Sequence, residues 1–542
     1  MKLETFFNKF DQFADAPDAV TKMRELVLQL AVQGKLVDQL SNEEPATKLL
    51  ERIQKSKERL IKERAIRRQE TEPIGDDIAP FCIPTSWVWT RLGEIGDWGS
   101  GSTPPRGNHD LYDGGITWLK SGELNDNQAL AGSSETVTEL ALKTGSFRRN
   151  QPGDVLFAMY GATIGKVAIL AEPAVTNQAV CGCTPFEGVS NRYLFNYLVS
   201  QRAAFHEASE GGAQPNLSKV KIVAFPVPLP PLAEQKRIVA KVDELMALCD
   251  GLEAQQGERE TRHAALARAS LARFADAPTP ANLSFLFHPS YAIPPADLRK
   301  SILTLAVQGK LVPQDPNDEP ALALLDQIAA QKASLAKAGK LRGSTSVAPM
   351  ADEEAEFELP SNWCWVRFGE IMVNRDGERI PVSKEERDTK AKTYDYYGAS
   401  GVIDKIDGYL FDKPLLLIGE DGANLINRAT PIAFIARGKY WVNNHAHVLD
   451  GISEDFLQFI ELHINAINLE RYVTGSAQPK MNQAKMNSIP IALPPLAEQR
   501  RIVAKIEQLM ALVDALETQL AASRTTGADL IEAVVAELTA GT

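Results

Sequence analysis

The residues of this chain best suited to chemistry are few, and none stands in a complete constellation. His445 and His447 in WVNNHAHVL, and Cys181 and Cys183 in AVCGCTP, are spaced so that in a strand each pair would share a face. A zinc site needs further ligands at set spacing, and neither pair has a neighbour that could supply them. The histidines therefore read as polar surface. Gly161 to Lys166, GATIGK, comes nearest to a phosphate-binding loop. It has one residue too few between its glycines, and Val167 stands where Ser or Thr should hold magnesium, so it reads as a tight turn between strands. No Ser/His/Asp or paired-carboxylate arrangement can be singled out from spacing.

What remains is the chemistry of recognition. Side chains that present paired donors and acceptors, chiefly Arg, Lys, Asn and Gln, are those able to read base edges in a major groove. Turn-rich polar segments holding them run from Ser100 to Asn108, Lys120 to Asn127 and Gln214 to Lys221, and then from Arg375 to Lys384, Tyr394 to Ser400, Asn443 to His447 and Gln478 to Lys485. The candidates are Lys120, Asn125, Gln214, Asn216, Lys219 and Lys221 in the first half, and Arg379, Lys384, Asn443, Asn444, Gln478, Lys480, Asn482 and Lys485 in the second. The phrases GGAQPNLSKVK and GSAQPKMNQAK recur in corresponding places, and their Lys219, Lys221, Lys480 and Lys485 could contact phosphate, which positions a reader without informing it of sequence. Charge gives no help to this reading. The net charge is −12, and the stretches 81–226 and 357–490 carry 11 basic against 13 acidic and 15 against 18 residues, so any phosphate contacts must be local or a partner must supply part of the positive field.

The elements that must position these segments are announced by an internal repeat. PPLAEQKRIVAKVDELMAL from Pro230 recurs as PPLAEQRRIVAKIEQLMAL from Pro494 at an offset of 264; AVQGKLV from Ala31 recurs from Ala306 at 275; WVWTRLGEI from Trp87 recurs as WCWVRFGEI from Trp363 at 276. Same frame, same order, divergent inserts: one scaffold carries two different readers. Within the PPLAEQ copies, Ile238, Val242, Leu245, Cys249 and Leu252 step by fours and threes, as do Ile502, Ile506, Leu509, Val513 and Leu516. That stripe predicts two helices of about 40 residues, or ~60 Å, each with a heptad seam. The two seams are expected to pack on each other, antiparallel. Residues 17–68 read as two further helices, repeated over 296–341, and FADAP recurs at 13–17 and 274–278, so the chain begins where the first long helix ends. The inserts read as mixed α/β, loosely aligned at Gly161 with Gly422 and Asn177 with Asn444, and stretches 70–77 and 339–356 read as linkers. The fold class is thus α+β with a pseudo-twofold internal repeat: 1–80 helical, 81–228 first insert, 229–276 long helix, 277–356 helical repeat and linker, 357–492 second insert, 493–542 long helix. The chain has no apolar run able to cross a bilayer, no signal-peptide core, and five scattered cysteines, which points to the cytoplasm.

The PPLAEQ helix, the AVQGKLV motif and two divergent blocks each opening with P-x-x-W-x-W resemble, over nearly the whole chain, the specificity subunit of Type I restriction-modification enzymes. The resemblance implies that each block is a target-recognition domain reading half of a split, non-palindromic double-stranded DNA site, that the repeated regions bind two methyltransferase subunits and set the spacing, and that restriction subunits with translocase and nuclease activity can join. It implies a non-catalytic subunit with no cofactor of its own, S-adenosylmethionine and ATP with magnesium being held by the partners. In keeping with that, the chain shows no cofactor-binding glycine turn and no Asn/Asp-Pro-Pro-aromatic loop of an adenine methyltransferase. The competing class is a protein-interaction scaffold with a coiled-coil tether, which an adjoining methyltransferase gene would disfavour.

Overall fold

A computed structural model describes residues 16, 18–68, 74, 79–210, 215–288, 291–339, 350, 354–355, 357–475 and 479–539. Gln214 and Gln478 lie outside these residues, as does most of the two expected linkers. The chain divides into two compact units, one holding Met1–Glu258 with Ser523–Thr542, the other Arg259–Ala522. Both mix helices with sheets.

Six helices make the frame: α1 (Ala19–Val32), α2 (Ala46–Lys62), the long α3 (Leu232–Asp276), and their counterparts α4 (Pro295–Val307), α5 (Ala321–Lys337) and the long α6 (Leu496–Thr539). Each long helix starts directly after Pro-Pro, whose fixed φ suits a first turn. In the first unit Ile238, Val242, Leu245 and Cys249 are buried, Leu252 partly so, in one core with Met23, Leu26 and Leu30 of α1 and with Ile531 and Val534 of α6. In the second unit Ile502, Ile506, Leu509 and Val513, with Leu516 at the edge, share a core with Leu298, Ile302 and Leu305 of α4 and with Ala267 and Phe274 of α3. The expectation that the two matched seams pack on each other is therefore corrected. Each unit combines the beginning of one long helix with the end of the other. The helix preceding each insert covers the seam instead.

The repeat motifs recur because they meet at one junction. Gly34 and Gly309 of AVQGKLV have φ of +71° and +69°, and a Cβ there would lie 2.4 Å from Pro84 and 2.5 Å from Pro360, the prolines that open P-x-x-W. Glu234 and Glu498 of PPLAEQ are buried; Gln39 and Gln314 donate to them, each at 2.6 Å, and Trp363 Nε1 donates to Glu498 at 2.9 Å. The neighbouring Gln235 and Gln499, also buried, donate back to the carbonyls of Pro230 (3.0 Å) and Pro494 (2.9 Å). A second tie comes from one lysine in each unit. Lys57 of α2 donates to the Gly93 carbonyl (2.9 Å), and Lys332 of α5 to the Gly369 carbonyl (2.7 Å), closing the short helical turn after W-x-W in each unit.

Each insert is entered and left through a two-stranded ladder, β1 (Val88–Arg91) with β7 (Pro226–Leu229) in the first unit and β8 (Cys364–Arg367) with β13 (Pro490–Leu493) in the second. The first insert is built on β2 (Gly96–Ser100), β3 (Asn127–Leu130), β4 (Val155–Ala158), β5 (Val167–Leu170) and β6 (Val180–Pro185), in the order β2-β6-β4-β5-β3. The second is built on β9 (Val373–Asn374), β10 (Leu415–Gly419), β11 (Ala433–Ala436) and β12 (Ala446–Asp450), in the order β9-β12-β10-β11. The apolar runs VLFA of β4 and LLLIG of β10 are buried throughout, as central strands covered on both faces must be. A three-stranded sheet accompanies each, Tyr112–Leu119 with Thr136–Val137 and Val175–Thr176, and Tyr394–Gly398 with Gly401–Ile406 and Tyr440–Val442. The segment from Tyr394 was expected to be turn-rich. It is mostly a strand, because its alternating aromatics pack Tyr396 inward.

Candidate nucleic-acid interface

The sheets decide where the polar segments go. β2 and β4 both run antiparallel to β6, with Ser100 opposite Cys181 and Ala158 opposite Val180, so the chain leaving β2 and β4 and the chain entering β6 share one end of the sheet. In the second unit Asn374 faces Leu449 and Gly419 faces Ala446, with the same result for the chain leaving β9 and β10 and entering β12. The other end carries the frame, where Ser190 after β6 binds Gln235 of α3 (2.8 Å). The loops that hold candidate residues therefore gather at one end of the sheet, and in the first unit α3 runs on past the frame to reach them, Met246 lining one cavity with Asp126 and Arg202.

In the first unit these loops are laced together. The Gly161 amide donates to the Pro215 carbonyl (2.8 Å), Leu217 donates to the Met159 carbonyl (2.9 Å), and Lys166 donates to Asn125 Oδ1 (2.8 Å). Asn125 and Asp126 hold left-handed φ of 43° and 56°, and Asp126 accepts from Arg202 at 2.6 and 2.7 Å. The GATIGK turn uses its own amides, Ile164, Gly165 and Lys166 donating to Gly161, Ala158 and Thr163 carbonyls, so it is a strand connection and no phosphate cradle. Asn216 is exposed and bridges Tyr160 and Glu210; Lys219 opens a short helix capped by Ser218; Lys221 reaches Glu210 at 2.8 Å. Lys120 binds Glu135 (2.5 Å) together with Arg106 (2.6 Å), and these two cations hold the Glu135 carboxyl down to about 2. Arg106, which was not singled out in the sequence, lies 5.0 Å from the Tyr112 ring and 5.3 Å from Trp118. Its signal was the cation in TPPRG followed by two aromatics, Tyr112 and Trp118.

In the second unit the corresponding bonds run from Gly422 to the Pro479 carbonyl (3.0 Å) and from Met481 to the Glu420 carbonyl (2.8 Å). Asn177 and Asn443 each accept from the amide two residues on, at 3.1 and 2.8 Å, so the partner of Asn177 is Asn443, one residue before the Asn444 expected from sequence. Asn443 is buried and Asn444 exposed. Arg379 is not a free reader: it is nearly buried and donates to the Ala446 carbonyl (2.7 Å) and Glu420 (3.1 Å). Lys480 binds Glu420 at 3.1 Å while half-exposed, Asn482 caps the helix Gln483–Asn487, and Lys384, Asn444 and Lys485 lie open to solvent. The reading of the histidines as surface holds for His445, which pairs with Asp421 (2.7 Å), and fails for His447, which is 2% exposed on β12 between Asp376 and the Met481 carbonyl. Spacing alone could not show that this strand lies inside a sheet.

Comparison with known proteins bears directly on these two loop clusters. The model of the Type I restriction modification DNA specificity domain matches residues 84–259 and again 360–523, together more than half of the chain. The chain is 29% identical over 561 residues to the Type I restriction enzyme EcoEI specificity subunit of Escherichia coli, covering 95% of this chain and 93% of that one. It is 29% identical over 564 residues to the EcoAI specificity subunit of the same organism, with the same coverage. Among solved structures, the HsdS subunit from Thermoanaerobacter tengcongensis aligns at 17% identity, 85% of this chain and 99% of that chain, with a TM-score of 0.43. With both inserts matched by one specificity-domain model, the chain belongs to the Type I restriction-modification DNA specificity family.

Proposed function

We propose that the protein is the DNA specificity subunit of a Type I restriction-modification system, each insert reading one half of a two-part, non-palindromic site. The observation that carries this is the double match of the specificity domain, each copy spanning one insert and the start of one long helix. Those relatives aligned along their length are specificity subunits, which favours the DNA reader over the interaction scaffold. The loops gathered at one sheet end supply exposed Asn and Lys side chains of the kind that read base edges and hold phosphates. We further infer that the chain is non-catalytic, that S-adenosylmethionine and ATP with magnesium are bound by partner subunits, and that two methyltransferase copies dock on the repeated frame. A restriction subunit is the further partner of this reading.

In this reading the long helices set the unread gap, with half-site centres about one helical turn of DNA, ~34 to 36 Å, apart. Sequencing of methylated host DNA tests the function directly: two unlike half-sites with a fixed gap are expected, and a single contiguous or palindromic motif overturns it. Adding one heptad to both α3 and α6 adds roughly 10 Å of helix, or about three base pairs of gap, with unchanged half-sites. An unchanged gap rejects the helices as the ruler.

A further inference from the structure

The loop-bearing end of the sheet keeps the same crossings in both units with different side chains, Asp376 sitting in the turn after β9 where Ser100 is the last residue of β2. In the first unit Phe157 faces Cys181, Ser100 stands opposite Cys181, and the crossing residues are Met159 and Leu217. In the second unit this end holds Ile418, His447, Asp376, Glu420 and Met481. An uncharged Cys-Ser pair is thus replaced by a His-Asp pair. Burial pushes the Cys181 thiol up to about 12, so it stays neutral, with Lys219 the nearby cation.

The geometry around His447 suits a doubly protonated ring. Nδ1 lies 2.6 Å from Asp376 Oδ2 and Nε2 lies 3.0 Å from the Met481 carbonyl. A carbonyl can only accept. Asp376 also accepts from the Val448 amide (2.7 Å) and Asn374 (3.0 Å), bonds that suit an ionised carboxylate. Both contacts are met together when each ring nitrogen donates. The charged groups facing the ring are Asp376 and Glu420, with Arg379 bound to both (3.5 and 3.1 Å) and Lys480 bound to Glu420 (3.1 Å). Through this web His447 joins three segments that carry candidate contacts: the turn at 376–379, the entry to β12, and the residues 480–482 that lead into the helix capped by Asn482.

We propose that His447 is the positioning residue of the second reader: as an imidazolium it clamps the 376–379 turn to the 480–482 segment, so that deprotonation unsettles the reading of one half-site and leaves the other untouched. A neutral ring would face either the carboxylate or the carbonyl with a lone pair, and one of the two ties would open. Asp376 and Glu420 offset the burial that opposes charging and raise the His447 pKa above the ordinary histidine value. The proposal rests on the DNA-reading function above.

The test uses the full chain assembled with its methyltransferase partner and a random duplex library, selected at about pH 6.5 and about pH 9, with the wild type and His447→Gln. Expected is a loss of about tenfold in base discrimination in a single half-site, the same one in wild type at high pH and in the variant at both pH values. Equal sharpness of both halves at high pH, parallel loss in both, or loss of different halves in the two arms overturns it. If the variant fails to assemble, the wild-type pair of selections decides alone. No enriched sequence at low pH overturns the DNA-reading function itself, and this proposal with it.

Discussion

Gly309 shows how one atom ties the sequence repeat to the fold. Its left-handed φ and the 2.5 Å separation between an added Cβ and the Pro360 ring mean that Gly309→Ala meets both strain and a collision. Gly438 has a similar φ of +75° with nothing near its missing Cβ, so Gly438→Ala isolates the backbone part. Chemical denaturation should show a loss of about 1 kcal/mol at 438 and about 2 to 4 kcal/mol at 309, the surplus being the junction with P-x-x-W. Equal losses would mean that the proline ring simply moves aside. The motifs around Gly309 were legible as a repeat, but not that they touch: the approach of Gly309 to Pro360 and the bond from Trp363 to Glu498 are tertiary facts. The same limit hid His447, whose partner Asp376 lies 71 positions away and whose neighbours in sequence look like any polar turn.

At the scale of elements, the heptad stripe predicted the long helices almost to their ends, since periodicity is a local signal, while the identity of the covering element was not local and was misread. Burial along α6 makes the point testable within a single helical turn. Ile531 is 2% exposed in the core it shares with α1 and the seam of α3, whereas its neighbour Leu530 is 48% exposed. Ile531→Ala should cost about 2 to 4 kcal/mol and lower the first unit's melting temperature by several degrees, while Leu530→Ala should cost less than about 0.5 kcal/mol. Equal effects would remove the end of α6 from that core. By contrast the ion pairs that decorate the same frame, Arg24 with Asp250 (2.6 Å) and Arg299 with Asp514 (2.6 Å), involve carboxylates about two-thirds exposed, and solvent screening leaves such pairs little net effect.

For the whole molecule the governing fact is charge. A DNA reader with a net charge of −12 has no general attraction to a polyanion, and several of its well-placed cations are already engaged: Lys120 with Glu135, Lys221 with Glu210, Lys480 with Glu420. Each such pair must open, or reorient toward a phosphate, before it adds to affinity. The chain alone should therefore bind duplex DNA weakly, with a shallow dependence on salt. If the methyltransferase partner closes around the duplex and brings the missing positive field, its addition should both tighten binding and steepen the slope of log K against log salt, from a magnitude below about 3 for the chain alone to about 6 or more for the complex, since each neutralised phosphate contributes about 0.9. Fluorescence anisotropy between roughly 50 and 200 mM salt reads both slopes. A steep slope for the chain alone would show that its inserts carry enough free cations to hold the backbone unaided, and the partner's electrostatic role would fall.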